Sequence, residues 1–257
     1  MDRGWRTLVL VAVVGVLALA CTAPAQQGTP SPTGGTEVDR RLPSAVLGLP
    51  LTDEDGRRVT LGDYHGKTVV LTDFLTLCHE VCPLTSASFG ALQQNARAAG
   101  LGAEVQFLEV TVDPARDTPP RLKAYAKMYG SAPNWDMLTG TPHELARLWK
   151  HFGVGYQKRP LHGSHSVDWW TGKPLTYDVD HTDALIFIDG SGAERYVITG
   201  APNAGSATVP PRLKRTLNHE GRRNLAHPTP QAWTVNQAWT TLRWLTAMGR
   251  DAAVGDN

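Results

Sequence analysis

The sequence predicts an α/β domain built on a mixed central sheet flanked by helices, with an N-terminal hairpin and a C-terminal helical extension. Residues 67–76 and 104–112 are apolar, β-favouring runs separated by a segment of helical periodicity, the order of a strand-helix-strand crossover. Such crossovers give parallel strands. Residues 179–188 lead into a further strand, and Asp189-Gly-Ser-Gly turns it back into residues 194–199. This hairpin makes the sheet mixed.

From the N-terminus, Arg3 and Arg6 precede an apolar run over residues 8–20 that ends Leu-Ala-Leu-Ala before Cys21. The run is shorter than the ~20 residues of a spanning helix and has the charged, apolar and small-residue parts of a signal peptide over residues 1–20. Cys21 resembles the lipobox cysteine of bacterial lipoproteins, which implies lipidation and an anchor on the extracytoplasmic face of the cell membrane. Residues 21–40, rich in Gly, Pro, Ser, Thr and Gln, read as a disordered tether. The folded domain then runs over 41–250, with a tail over 251–257.

Within the domain, residues 49–61 predict a hairpin turning at Asp55-Gly56. After the central strand, Pro83 suits an early helical position, Phe89, Leu92 and Ala96 form an inner face, and Gly100 ends the helix. Asp117-Thr-Pro-Pro opens a helix to about Tyr129, with Leu122, Tyr125 and Met128 inward. The best-marked helix has Thr141 as N-cap, Pro142 first and Glu144 completing a capping box, followed by Leu145, Leu148, Trp149 and Phe152. Residues 153–177 and the insertion 204–231 show little periodicity and read as irregular. A last amphipathic helix over 233–248 packs Trp239, Leu242 and Leu245 on the sheet.

A net charge of +1 over 257 residues offers no field for nucleic acid or a polyanionic substrate, so function has to be read from sites. Of the three cysteines, Cys21 belongs to the anchor, which leaves Cys78 and Cys82 to pair with each other or with a metal. They stand where the central strand meets the following helix. Cysteines four apart at a helix start lie about 6 Å apart along its axis, close enough to share a metal or, with adjustment, to close a disulfide. The unpaired N–H groups and dipole of a helix start also favour thiolate. Thiols at the start of the first long helix, on this order of elements, make the predicted fold thioredoxin-like.

Cys78-His-Glu-Val-Cys82-Pro83, Val112-Asp-Pro-Ala-Arg-Asp-Thr-Pro119 and Val179-Asp-His-Thr182 together resemble the three motifs of the Sco/SenC copper chaperones, in family order. The resemblance implies a thioredoxin-like fold, Cys78 and Cys82 as paired thiolates and His181 as the third ligand to Cu(I) or Cu(II). Asp113 would support the site without binding metal. It further implies delivery of copper to the dinuclear centre of cytochrome c oxidase, or reduction of that centre's cysteines. The partner is then the oxidase subunit that carries this site or another copper-carrying protein.

The residues agree on their own chemistry, because two thiolates and an imidazole form a soft set suited to copper. Zinc accepts the same set, although no fourth protein ligand is evident. Two functions from different classes therefore stand side by side: a metallochaperone, and a thiol:disulfide oxidoreductase whose catalytic pair is Cys78 and Cys82 without an obligatory metal. A peroxide-reducing relative would need a Pro-x-x-x-Thr-x-x-Cys pattern that does not precede Cys78.

Several residues are departures or carry two readings. His79 stands where the family usually has Pro, and either raises the thiolate population or offers another imidazole. His162 and His165 read as surface histidines, with auxiliary copper binding as the alternative. Trp169 and Trp170 form a docking patch or pack locally. Asp113 and Arg116 also suit a strand-to-helix turn held by an ion pair, and Asp180 and Asp183 read as solvated loop charges. The insertion 204–231 is longer and more basic than the family leads one to expect.

Overall fold

The computed structural model describes residues 34–130, 132–161 and 166–255. The expected signal segment 1–20, Cys21, His162 and His165 lie outside the described residues. The first element is strand β1, Thr36–Arg41, followed by the short helix α1, Ser44–Leu47. The tether expected over 21–40 therefore gives way to sheet structure at Thr36. This strand is exposed along almost its whole length, so its composition reads as linker while its backbone pairs with the sheet.

Strands β2, Leu51–Thr52, and β3, Arg58–Val59, form the expected hairpin, with Gly56 taking a positive φ of 82° in its turn. The central strand β4, Thr68–Phe74, leads to helix α2, Cys82–Ala98, and then to β5, Val105–Thr111. Both strands are buried throughout, which suits their largely apolar sequences, although each also buries polar side chains, Asp73 in β4 and Gln106 and Glu109 in β5. Helix α3, Pro119–Tyr129, precedes β6, Trp135–Leu138, a short strand that the sequence reading passed over. Helix α4, Pro142–Phe152, has the capping box of Thr141 and Glu144 in place.

The second half corrects the sequence reading in two places. Residues 153–177 contain β7, Tyr156–Pro160, which pairs with β8, Tyr177–His181, as a separate two-stranded ribbon. All of β7 is exposed, so no alternation of apolar and polar residues marks it. Strands β9, Ala184–Ile188, and β10, Ala193–Thr199, form the predicted hairpin. The stretch 204–231 is not irregular: after β11, Pro202–Asn203, it holds helices α5, Pro211–Thr216, and α6, His219–Ala226. Strand β12, Trp233–Thr234, pairs with β11 and leads into α7, Val235–Gly255.

The main sheet has six strands in the order β1-β10-β9-β4-β5-β6. β4, β5 and β6 run parallel, whereas β9 joins β4 antiparallel and brings β10 and β1 with it. Helices flank this mixed sheet, with α7 packed on β4, β10 and α2, and α4 packed against α1. The first turns of α2 are buried all round, so small residues are required there; Gly90 lets the ring of Trp135 approach the helix backbone. No described helix is long and apolar enough to cross a membrane.

Candidate metal centre

The site forms at the carboxyl end of β4, where the chain leaves the sheet before entering α2. Its thiols do not both lie on the helix as the sequence reading expects. Cys82 is the first residue of α2, whereas Cys78 lies in the turn ahead of it. Two backbone N–H groups, of Glu80 and Cys82, point at Cys78 Sγ from 3.4 Å. One of the orphan donors of the helix start is thereby satisfied by sulfur.

His181 reaches the thiols from the end of β8. The register of β9 on β4 sets Leu185 beside Thr72, and Asp73 Oδ1 accepts the N–H of Ala184 at 2.9 Å. The same carboxylate receives His181 Nδ1 through Oδ2 at 2.5 Å. His181 Nε2 then lies 3.3 Å from Cys82 Sγ. Cys78, Cys82 and His181 bring one ligand atom each within 4.8 Å of one another. A second cluster, Asp73, His181 and Asp183, shares the same histidine.

Both described cysteines are free, and their environments split them. Cys78 is held well below the usual thiol range, chiefly by its hydrogen bond with Cys82, against burial, with His181 adding to the effect. Burial pushes Cys82 well above that range, and the neighbouring Cys78 pushes it further. We assign the thiolate to Cys78 because the two N–H donors face it. Burial disfavours a charged His181, but its bonds to Asp73 and Cys78 prevail and raise its pKa well above the ordinary value. In the reduced, metal-free site His181 thus lies between the buried side chain of Asp73 and the sulfur of Cys82.

Asp73 is the residue that sequence reasoning missed. Asp73 is fully buried, and a carboxylate within an apolar strand was the available signal. Asp183, expected to be solvated, lies 3.8 Å from His181 Nδ1, and burial lifts its pKa to about 7. Asp180 does behave as an exposed charge, paired with Arg159.

Asp113 is buried and held by partners within its own motif and at the start of β8. It pairs with Arg116 and accepts from the Tyr177 hydroxyl at 3.0 Å, while Arg116 donates to the Tyr177 carbonyl at 2.8 Å. The motif therefore fastens the end of β5 to the start of β8, the strand that ends in His181. Asp117 ties the end of β5 to Thr76, ahead of the thiols. Its carboxylate accepts from the hydroxyls of Thr76 and Thr111 at 2.5 and 2.6 Å, and burial lifts its pKa to about 6.

The adjacent tryptophans divide. Trp169 is buried and donates Nε1 to the carbonyl of Thr76 at 2.7 Å, whereas Trp170 is 39% exposed and stacks on its neighbour at 6.0 Å. His79 is buried, its Nε2 has no partner among the described residues, and burial lowers its pKa. It belongs to neither ligand cluster.

Fold and site together define a thioredoxin-like protein with a reduced two-cysteine, one-histidine centre. The SCO1/SenC family model matches residues 48–217, and the chain belongs to that family. The SCO1 protein homolog of Bacillus subtilis is 35% identical over 109 residues, which are 42% of this chain and 55% of that protein. A Stutzerimonas stutzeri protein named "Putative copper-binding protein" is 31% identical over 186 residues, 70% of this chain and 82% of its own length. The crystal structure of a SCO1/SenC family lipoprotein from Bacillus anthracis str. Ames is similar at a TM-score of 0.50 and 28% identity, covering 66% of this chain and 92% of that one.

Proposed function

We propose that this chain binds copper through Cys78, Cys82 and His181 and delivers it to the dinuclear copper site of cytochrome c oxidase, or prepares the cysteines of that site. The observation that carries this reading is the convergence of two sulfurs and an imidazole nitrogen within 4.8 Å. Family membership supports it, as does a relative named for copper binding. Attachment through a lipidated Cys21 at the extracytoplasmic face is part of the proposal, supported by the lipobox pattern and by the lipoprotein relative in Bacillus anthracis.

The donor set suits the cargo. Asp73 accepts a hydrogen bond from His181 Nδ1–H, which fixes the proton on that nitrogen and leaves Nε2 as the ligand atom facing sulfur. The pKa of Cys78 is held low and those of Cys82 and His181 are raised, so the protons that compete with the metal are chiefly those of Cys82 and His181.

A second reading keeps a specific observation of its own: the pairing of a low-pKa Cys78 with a high-pKa Cys82 is the asymmetry of a dithiol reductant. Mixing the copper-loaded protein with an isolated oxidase copper-site domain separates the two. Copper appearing in the acceptor supports delivery. Reduction of the acceptor's disulfide by the metal-free protein, retained in His181→Ala, supports exchange. The absence of both outcomes would refute both readings.

A further inference from the structure

The family match ends at residue 217, and the contacts that begin at Asn218 fall on the thiol loop. The Asn218 backbone N–H donates to the carbonyl of His79 at 3.0 Å, and its Nδ2 donates to Glu80 Oε1 at 2.7 Å. Its Oδ1 caps α6 by accepting the N–H of Gly221 at 2.8 Å. Gly221 is buried against the loop itself: a Cβ there would overlap the His79 carbonyl oxygen and lie 3.0 Å from Glu80 Cα. Only glycine lets α6 sit this close.

The other flank of the loop is held from the same segment. Arg212 of α5 donates to the carbonyl of Trp169 at 2.7 Å, and Trp169 in turn holds the Thr76 carbonyl. Leu213 and Leu217 are buried between these two contacts and fix α5 to the core. The stretch between Thr76 and Glu80 is bracketed, and it contains Cys78.

We infer that Asn218 is a positioning residue for the thiol pair, and that α5 and α6 form a clamp that holds the 78–82 loop in its open, dithiol arrangement. Closing the disulfide joins Cys78 Sγ to Cys82 Sγ and passes two electrons to a partner disulfide, whose S–S bond breaks and which becomes a dithiol on taking up two protons, from Cys82 and from solvent. The two sulfurs lie within 4.8 Å of each other, against about 2 Å in a disulfide, and closing that gap draws Cys78 toward the helix and pulls on the loop that Asn218 holds at His79 and Glu80. The clamp therefore favours the reduced pair. This holds whether the pair serves copper or thiol exchange.

The test equilibrates the full chain with dithiothreitol and its oxidised form, traps the thiols by alkylation and reads the fraction of Cys78–Cys82 disulfide. Asn218→Ser keeps an oxygen to cap α6 but cannot bridge to Glu80, and should move the equilibrium about tenfold toward the disulfide, about 30 mV more negative. Glu80→Gln retains an acceptor and should stay near wild type, whereas Glu80→Ala should match Asn218→Ser. The double variant Asn218→Ser/Glu80→Ala should add little to either. Gly221→Ala, which forces α6 off the loop, should shift the equilibrium in the same direction. Variants that lose stability equally in the oxidised and reduced forms, with the equilibrium unmoved, would show a merely structural role and overturn the inference.

Discussion

Asp73 holds His181 from beneath: the carboxylate receives Nδ1 at 2.5 Å and leaves Nε2 facing the sulfur of Cys82. The two residues are far apart in sequence and meet because β9 pairs with β4 and carries the end of β8 over the sheet. Asp73→Asn keeps the size of the side chain but removes the charge that orients the ring. Loss of such a partner typically costs 10–100-fold in metal affinity. Competition with a Cu(I) chelator should show a weakening of about that size, and an unchanged affinity would contradict the role given to Asp73.

The split between the two thiols predicts ordered alkylation. Cys78 has its pKa lowered and is partly accessible, while Cys82 has its pKa raised and is buried. Iodoacetamide followed by peptide mass mapping should label Cys78 well before Cys82. Earlier labelling of Cys82 would reverse the assignment.

Copper affinity should rise with pH. Protons on Cys82 and His181 compete with the metal, since both groups have pKa values raised well above their ordinary values in the metal-free protein. A chelator series from about pH 6 to pH 9 should show steady tightening. A flat profile would mean that neither proton is displaced.

Glu109 offers a stability test remote from the thiols. It is fully buried against Ser86 and Trp135, and burial raises its pKa to about 8. A folded-state pKa above the unfolded one gives stability that is complete below about pH 4 and is lost as pH rises through 8. The loss amounts to roughly 5 kcal/mol at most. Glu109→Gln should flatten this slope and unfold at higher urea than wild type at pH 9. Parallel pH profiles for the two proteins would contradict a neutral buried Glu109.

The motifs that carry the site were legible because they are local: Cys78 to Pro83, Asp113 to Pro119 and Val179 to Thr182 each read as a unit. Buried parallel strands and a capped α4 were legible for the same reason, since their residues satisfy periodicity or capping within a few positions. Asp73 was not, because its role depends on a partner brought in by sheet register. β7 carries no apolar alternation, and α5 and α6 are too short and too rich in Arg to show a face. Their order comes from what they touch, Trp169 and the thiol loop, which no local window contains.

The central claim is that His181 completes a copper site with the two thiols. The most direct measurement is copper stoichiometry of the reduced protein, mixed anaerobically with Cu(I) under a competing chelator, for wild type and His181→Ala. One tightly held copper in wild type, greatly weakened by the substitution, is the expected result. Equal retention by both proteins, or none by either, would contradict it.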